Sequence, residues 1–428
     1  MKRKLIEDWI SQTHEPGHYQ SLVKDPPGAG TINFMGPSSP PPSDVHVVDD
    51  LQDPDATPTN DSRSKRRKLD ASGVPLELRH RSIPSLRSGS STTRSTSGRS
   101  KSKSPVKSLA DLLLTDKPPN VYRLKEGRSL PPDVDQLFRQ VQAIRAGRNI
   151  VPQSVKDQVL AAVEVVDDDL TEASFYDSRQ WATGCGLTPW DEQRELELFK
   201  ELVGMTHECE DEGYAESAWN SSVHQPFLLH SLACFSGLIR HFDVTSAPIN
   251  KQYVPKHSSG IDTQSKKVDF CINLAASDIM VASRKRRSMA SDSCSINHTS
   301  YRPIQDRPIA INIETKTPST AGEEAKAQLS VWTHAHLKRL RSLSCTSSAS
   351  AVNITIPVIS VSGGKWTLYF IRDQPHGIDL IPTRTIGSTD TLVGCYKLVA
   401  FLRHLGAWVQ TVYRDWLLEN VLAVEETG

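Results

Sequence analysis

The stretch Pro308-Ile309-Ala310-Ile311-Asn312-Ile313-Glu314-Thr315-Lys316-Thr317 decides the fold class. Its alternating, β-branched run reads as a buried strand. A carboxylate and an amine close it, two residues apart, and the period of two in a strand puts Glu314 and Lys316 on one face. An acid and a lysine side by side at a strand end suit holding a divalent metal and orienting a water. Alone, the same spacing describes an ordinary surface ion pair. The reading therefore turns on what the rest of the chain brings to this end.

Working backward, residues 267–274 read as a second strand, with Val268, Phe270 and Ile272 on one face and Asp269, Cys271 and Asn273 on the other. A charge inside a short apolar strand needs a partner, a metal or water. Residues 241–249 read as an earlier strand. Residues 284–301, which include Arg284-Lys285-Arg286-Arg287, read as a polar loop, either surface or a second import-like cluster. Working forward, residues 321–343 form a helix in which Gln328 and Trp332, four apart, share a face. Residues 354–361 and 366–372, joined by Gly363-Gly364, read as a hairpin. Leu392, Tyr396, Val399, Leu405, Val409, Val412 and Trp416 then recur at helical spacing over 388–420, with the tryptophans as core.

The upstream part is helical. Pro131-Pro132 precede Val134, Leu137, Phe138, Val141 and Ile144, stopped near Gly147. Residues 109–114, 152–163 and 191–205 give further helices, and the acidic patch from Glu208 to Glu216 reads mostly as a solvated face. Ser222-Val223-His224-Gln225 reads as a capping box, with Pro226 in the first turn and His224 as a helix-start hydrogen-bonding residue. The order is that of an α/β domain: a mixed central β-sheet flanked by helices, with a helical N-terminal extension and a long C-terminal helix.

Composition sets the frame. The chain has 428 residues, 50 Lys+Arg and 50 Asp+Glu, but the neutral total hides a basic arm. Between Ser62 and Lys107 there are 13 basic residues against Asp70 and Glu77. Residues 1–105 are dominated by Pro, Ser, Gly and Asp and read as disordered, with one amphipathic turn at Leu5, Ile6, Trp9 and Ile10. Residues 106–185 form the helical extension and 186–428 the main domain. Lys65-Arg66-Arg67-Lys68 has the form of a nuclear-import signal, and the Ser/Arg/Lys run over 82–108 suits phosphate contacts or phosphorylation. Seven scattered cysteines without a Cys-x-x-Cys pair argue against a disulfide framework and a structural zinc site, and for a reducing setting. No apolar h-region follows the N-terminus, and no run reaches the ~20 apolar residues of a membrane span.

Val268-Asp269, then Glu314-Thr315-Lys316, then a helix bearing Gln328, resembles the PD-(D/E)XK nuclease-like superfamily. Gln328-Leu329-Ser330-Val331-Trp332 resembles the Gln-x-x-x-aromatic motif of its RecB-like branch. Ala215-Glu216-Ser217-Ala218-Trp219-Asn220, with Val223-His224, is similar to a segment of fungal members. The sequence departs from the pattern in having Val268 before the Asp instead of Pro, and in the long gap from Asp269 to Glu314. The resemblance implies a restriction-endonuclease-like αβββαβ core. It implies that Asp269 and Glu314, with Glu216, ligate Mg²⁺ or Mn²⁺, or that Glu216 takes a proton. Lys316 would hold the attacking water or neutralise charge, and Gln328 would orient water or phosphate. The expected activity is metal-dependent phosphodiester hydrolysis of nucleic acid, DNA in the leading reading, in the nucleus. The alternative is a catalytically silent nuclease-like fold that binds nucleic acid or protein.

Overall fold

The computed structural model describes residues 109–122, 130–162, 170–177, 189–256, 267–290, 294–319, 322–344 and 350–423. The turn at Leu5–Ile10, the Lys65–Lys68 cluster and the whole of the basic arm lie outside these residues. Strands are β1 Pro119–Val121, β2 Val151–Pro152, β3 Phe175–Tyr176, β4 Ile239–Asp243, β5 Phe270–Leu274, β6 Ile309–Lys316, β7 Thr355–Ser362, β8 Lys365–Gln374 and β9 Gly377–Ser388. The α-helices are α1 Pro132–Arg145, α2 Lys156–Ala162, α3 Pro189–Asp211, α4 Glu216–Trp219, α5 Gln225–Ser231, α6 Ser277–Ser288, α7 Gly322–Leu343, α8 Leu392–Trp408 and α9 Arg414–Leu417.

Seven strands form one sheet in the order β1-β9-β8-β7-β6-β5-β4. β6 lies inside the sheet, between β7 and β5, and all eight of its residues are buried. That explains its Ile-rich run: a strand covered on both faces gains from apolar side chains at every position. It pairs antiparallel with β5, with Phe270 opposite Ile313, and parallel with β7, with Glu314 opposite Ser360. The parallel step needs a crossover, and α7 supplies it. Asn312, a polar residue in this strand, is satisfied by Trp332 Nε1 of α7, which donates to its Oδ1 at 2.9 Å. The sheet is mixed: β4-β5, β7-β8 and β8-β9 are antiparallel, and β1-β9 is parallel. Helix, β4, β5, β6, α7, β7 follow in the order of a restriction-endonuclease-like core, with α6 inserted between β5 and β6.

The hairpin of β7 and β8 turns through Gly363, whose φ of +54° lies in the left-handed region. A Cβ there would also lie 2.6 Å from Pro318 Cγ. The turn is tied to the end of β6, because Gly363 N donates to Lys316 O at 2.8 Å. One hydrophobic core runs from Leu112 through the sheet to Leu422 and takes in Val134, Leu137 and Val141 of α1. The upstream helices thus share the core of the sheet, and β1 extends the sheet itself.

Several expectations change. Residues 284–288 are helical, not loop, since α6 runs through Ser288. Its basic side chains are committed: Arg286 donates to Val421 O at 2.8 Å and Leu343 O at 2.7 Å, capping two helix ends. Arg284 and Arg287 both pair with Asp306. The expected capping box at 222–225 is absent, because the helix continues through a π-turn, Asn220–His224, and no side chain caps α5. The long helix starts at Leu392, and Ser388 ends β9, a strand whose polar, Thr/Arg-containing half masked its periodicity. The strand expected over 241–249 is β4, which runs Ile239–Asp243, and three short strands precede it. Helical residues Leu392–Leu422 are long and apolar enough by length and composition to cross a membrane, but 89% of the qualifying window is buried inside the fold, as in a core helix. Among the described residues Cys209, Cys271, Cys294 and Cys395 are free thiols, whereas Cys234 is disulfide-bonded, where the scattered spacing argued against a disulfide framework.

Helix α3 is pinned to α8 by Glu195, which is fully buried and bonds Arg403, itself 1% exposed, and His230 Nε2 at 2.8 Å. Burial pushes the Glu195 carboxyl up, but Arg403 and His230 outweigh it and hold it below its usual value. Glu195→Gln leaves Arg403 without its counter-charge, which costs about 3–5 kcal/mol. A carboxylate with a depressed folded pKa stabilises above its unfolded pKa and loses that contribution as pH falls through the folded value. Urea denaturation should therefore show the wild-type advantage at neutral pH closing in acid.

Candidate active site

Two strand ends meet at one end of the sheet. β6 ends in Glu314-Thr315-Lys316, β5 begins just after Asp269, and the antiparallel register of β5 and β6 brings the two acids to the same end. Asp269 is 7% exposed, and its Oδ2 accepts from Thr315 N at 2.8 Å and lies 2.9 Å from Thr315 Oγ1. Thr315, the residue between the acid and the lysine, thus fixes Asp269 against β6. Lys316 Nζ donates to Glu314 Oε1 at 2.6 Å, to Thr315 O at 2.9 Å and to Glu216 at 3.2 Å, which occupies its three donor directions. Glu216 opens α4, where an acid meets the positive end of the helix, and its side chain is 37% exposed.

The charges are frustrated. Burial raises the Glu314 pKa well above its ordinary value, the Asp269 charge adds to that, and Lys316 only partly opposes it. Burial likewise raises Asp269 against the Thr315 bonds and Lys316. For Lys316 burial acts downward, but Glu314, Glu216 and Asp269 outweigh it and raise it, so the ammonium stays charged. Glu314 Oε2 is buried and has no hydrogen-bond partner. Two adjacent acids with raised proton affinity and an orphaned carboxylate oxygen fit a hard divalent cation, which accepts oxygen ligands and relieves the repulsion. Among the described residues no group of three His, Cys, Asp or Glu side chains is arranged to hold a metal. Asp269 and Glu314 would therefore share a cation with water and substrate oxygens, as Mg²⁺ sites do.

The structure brings Asp269, Glu314, Lys316 and Glu216 together. Gln328 stands one step away: its Nε2 reaches Lys267 O at 3.4 Å, on the segment entering β5, and its Oε1 is buried without a partner. It touches the support of Asp269 and not the acids themselves.

Sequence reasoning missed the buttress behind Thr315. Asn220 Oδ1 lies 2.7 Å from Thr315 Oγ1 and 2.9 Å from His224 Nδ1, and His224 Nε2 lies 3.0 Å from Gly363 O. Burial pushes the His224 pKa down to about 4, against the Gly363 carbonyl, so the ring is neutral. A carbonyl only accepts, so the ring proton sits on Nε2 and Nδ1 must accept. A half-turn of the Asn220 amide satisfies every atom: Nδ2 donates to His224 and Thr315, and the Thr315 hydroxyl donates to Asp269. Four residues spread over about 140 positions carry this chain; Asn220, His224 and Thr315 stand inside the quoted motif segments and Gly363 in the hairpin turn, but no spacing rule joins them.

A family profile described as the PD-(D/E)XK nuclease superfamily matches residues 161–414, more than half of the chain. No curated protein matches significantly. Members of that superfamily generally use divalent metals.

Replacing a repelled buried acid by its neutral isostere removes the cost without changing shape. Glu314→Gln should raise the melting temperature of the metal-free protein at pH 7.5. Wild type should gain stability on adding Mn²⁺ or Ca²⁺, by about 2.7 kcal/mol at a hundredfold excess over Kd, and Glu314→Gln should lose that gain. Scanning calorimetry with and without EDTA measures both.

Proposed function

The chain belongs to the PD-(D/E)XK nuclease superfamily, and from that premise we propose that it hydrolyses phosphodiester bonds in nucleic acid, DNA foremost, with Mg²⁺ or Mn²⁺. The observation that carries this reading is the buried set of Asp269, Glu314 and Lys316, with Glu314 Oε2 unpartnered. An ion-paired surface cluster would have no reason to bury two repelling acids. When bound, the cation supplies Lewis-acid charge at the phosphate and lowers the pKa of a water.

The chain's own residues do the rest. Asp269 and Glu314 hold the cation, and Thr315 keeps Asp269 aimed at it. Lys316, held charged by its neighbours, acts as a donor and cation: it positions a water or a phosphate oxygen and offsets charge that builds in the transition state. Glu216, at the rim, completes the shell or accepts a proton. Gln328 steadies the segment that carries Asp269 and can turn its free Oε1 toward water. We place the activity in the nucleus, on the strength of Lys65-Arg66-Arg67-Lys68.

The competing reading is a silent binding module. One observation favours it: Lys316 has all three donor directions filled from within the protein. Purified full-length protein incubated with single- and double-stranded DNA and RNA decides between them. Cleavage should need Mg²⁺ or Mn²⁺ and stop with EDTA, and Lys316→Met and Asp269→Ala should each lower it by about 10²–10³-fold. Cleavage that survives both substitutions would sink the site. No cleavage, with salt-sensitive binding lost on deleting residues 62–107, would establish the binding module. For localisation, replacing Lys65-Arg66-Arg67-Lys68 by alanines should move a fluorescent fusion out of the nucleus.

A further inference from the structure

β4 is one of the two edge strands of the sheet, so among the described residues no strand pairs with its outer row of backbone groups. Beside it, between β4 and α5, lies an open groove of about 960 Å³. Its walls include Arg240, Phe242 and Asp243 of β4, Leu229 of α5, and Arg307 from the approach to β6. Arg240 and Arg307 both stack on the Phe242 ring, with guanidinium carbons 5.1 and 5.7 Å from its centroid. Neither arginine has a carboxylate partner among the described residues. Arg307 bonds the Pro303 carbonyl at 2.7 Å, and Arg240 is exposed. Asp243 is the one acid lining the groove, and Thr245 already bonds it through N and Oγ1 at 2.9 and 2.6 Å.

The groove leads to the candidate active site. Asp243 is its site-side end, and the next residue, Val244, donates its N–H to Asp269 O at 2.8 Å. β4 spans five residues, about 17 Å of path that ends beside the metal-ligating acid. A basic stripe escaped the sequence because Arg240 and Arg307 stand 67 positions apart and meet only in the fold.

We propose that this groove carries a single strand of the substrate into the site, its phosphates against Arg240 and Arg307 and a base on the Arg–Phe242 platform. The proposal names the substrate class of the site described above and rests on that reading of it. Two cations without counter-charges answer a polyanion, and stacked guanidinium and aromatic planes answer bases. A base can stack on that platform only when it is unpaired, which favours a single strand over a duplex.

The test separates this from catalysis. Full-length Asp269→Asn protein, in EDTA, is titrated with a fluorescent 20-nucleotide DNA strand and with its blunt duplex, and is crosslinked to 4-thiothymidine DNA with peptide mapping. Single strand should bind tighter than blunt duplex. Arg240→Glu, on an exposed side chain, should weaken it about tenfold and reduce the salt slope by about one. Phe242→Leu should weaken it with no change in slope, and crosslinks should map to residues 237–243 or 307. Crosslinks confined to other segments, including the basic arm, overturn the proposal even if the enzyme cleaves. Equal duplex and single-strand affinity, with Arg240→Glu silent, overturns it as well. A doubling of mass in sedimentation that Arg240→Glu abolishes would assign the edge to a second copy of the chain and overturn it too. Groove crosslinking without any cleavage upholds it while defeating the hydrolytic reading.

Discussion

One ammonium group holds the functional end of this sheet together. Lys316 Nζ is shared among Glu314, Glu216 and the Thr315 carbonyl, and its positive charge opposes the raised proton affinity of both Asp269 and Glu314. Around it the chain has buried Asp269 and Glu314, at 7% and 1% exposure, where mutual repulsion and lost hydration both favour the protonated forms. Such a cluster persists because β5, β6 and the β7–β8 turn are fixed by a deep apolar core, whose burial outweighs a local cost of a few kcal/mol. The site is a strained feature paid for by the fold at large.

The buttress behind that cluster shows how the strain is contained. Thr315 clamps Asp269, the Asn220 amide backs Thr315, the neutral imidazole of His224 backs Asn220, and the hairpin carbonyl of Gly363 closes the run. Each group is buried or nearly so, and each hydrogen has one place to go. The same hairpin turn also bonds the carbonyl of Lys316, so one loop steadies both the middle and the lysine end of the Glu-x-Lys segment. That is the arrangement expected where ligand positions must be held before a cation or a phosphate arrives.

Much of this was legible in the chain. The β6 run announced a strand through its isoleucines, and the Gly363-Gly364 hairpin and α7 carried strong periodic signals, so the α/β order could be read. Asp269 stood out as a charge in an apolar strand. What escaped had physical reasons. β9 is apolar at its start and polar at its end, so neither period dominates. The basic run at 284–287 looked like solvent-facing loop, yet Arg286 spends its charge on two helix-terminal carbonyls, a contact between residues 57 and 135 positions apart. The Asn220–Thr315 contact spans 95 positions and has no spacing rule behind it. Local patterns report a residue's secondary structure, but long-range polar partners exist only once the sheet has closed.

The π-turn at Asn220–His224 settles a problem of helical phase. On a regular α-helix, residue 227 would come round to within about 20° of residue 216, so Phe227 and Glu216 would look the same way. A wider turn slows the rotation across those five residues. Glu216 and Asn220 then address the polar strand end, while Phe227 swings toward Phe199 and Trp366, ring centroids 5.8 Å from each. One helical segment therefore serves a charged surface and an apolar core in succession. What it accommodates is a count: ten steps of a regular α-helix would already hold the acid and the phenylalanine about 80° apart, and the π-turn takes in an eleventh residue without turning the two into register.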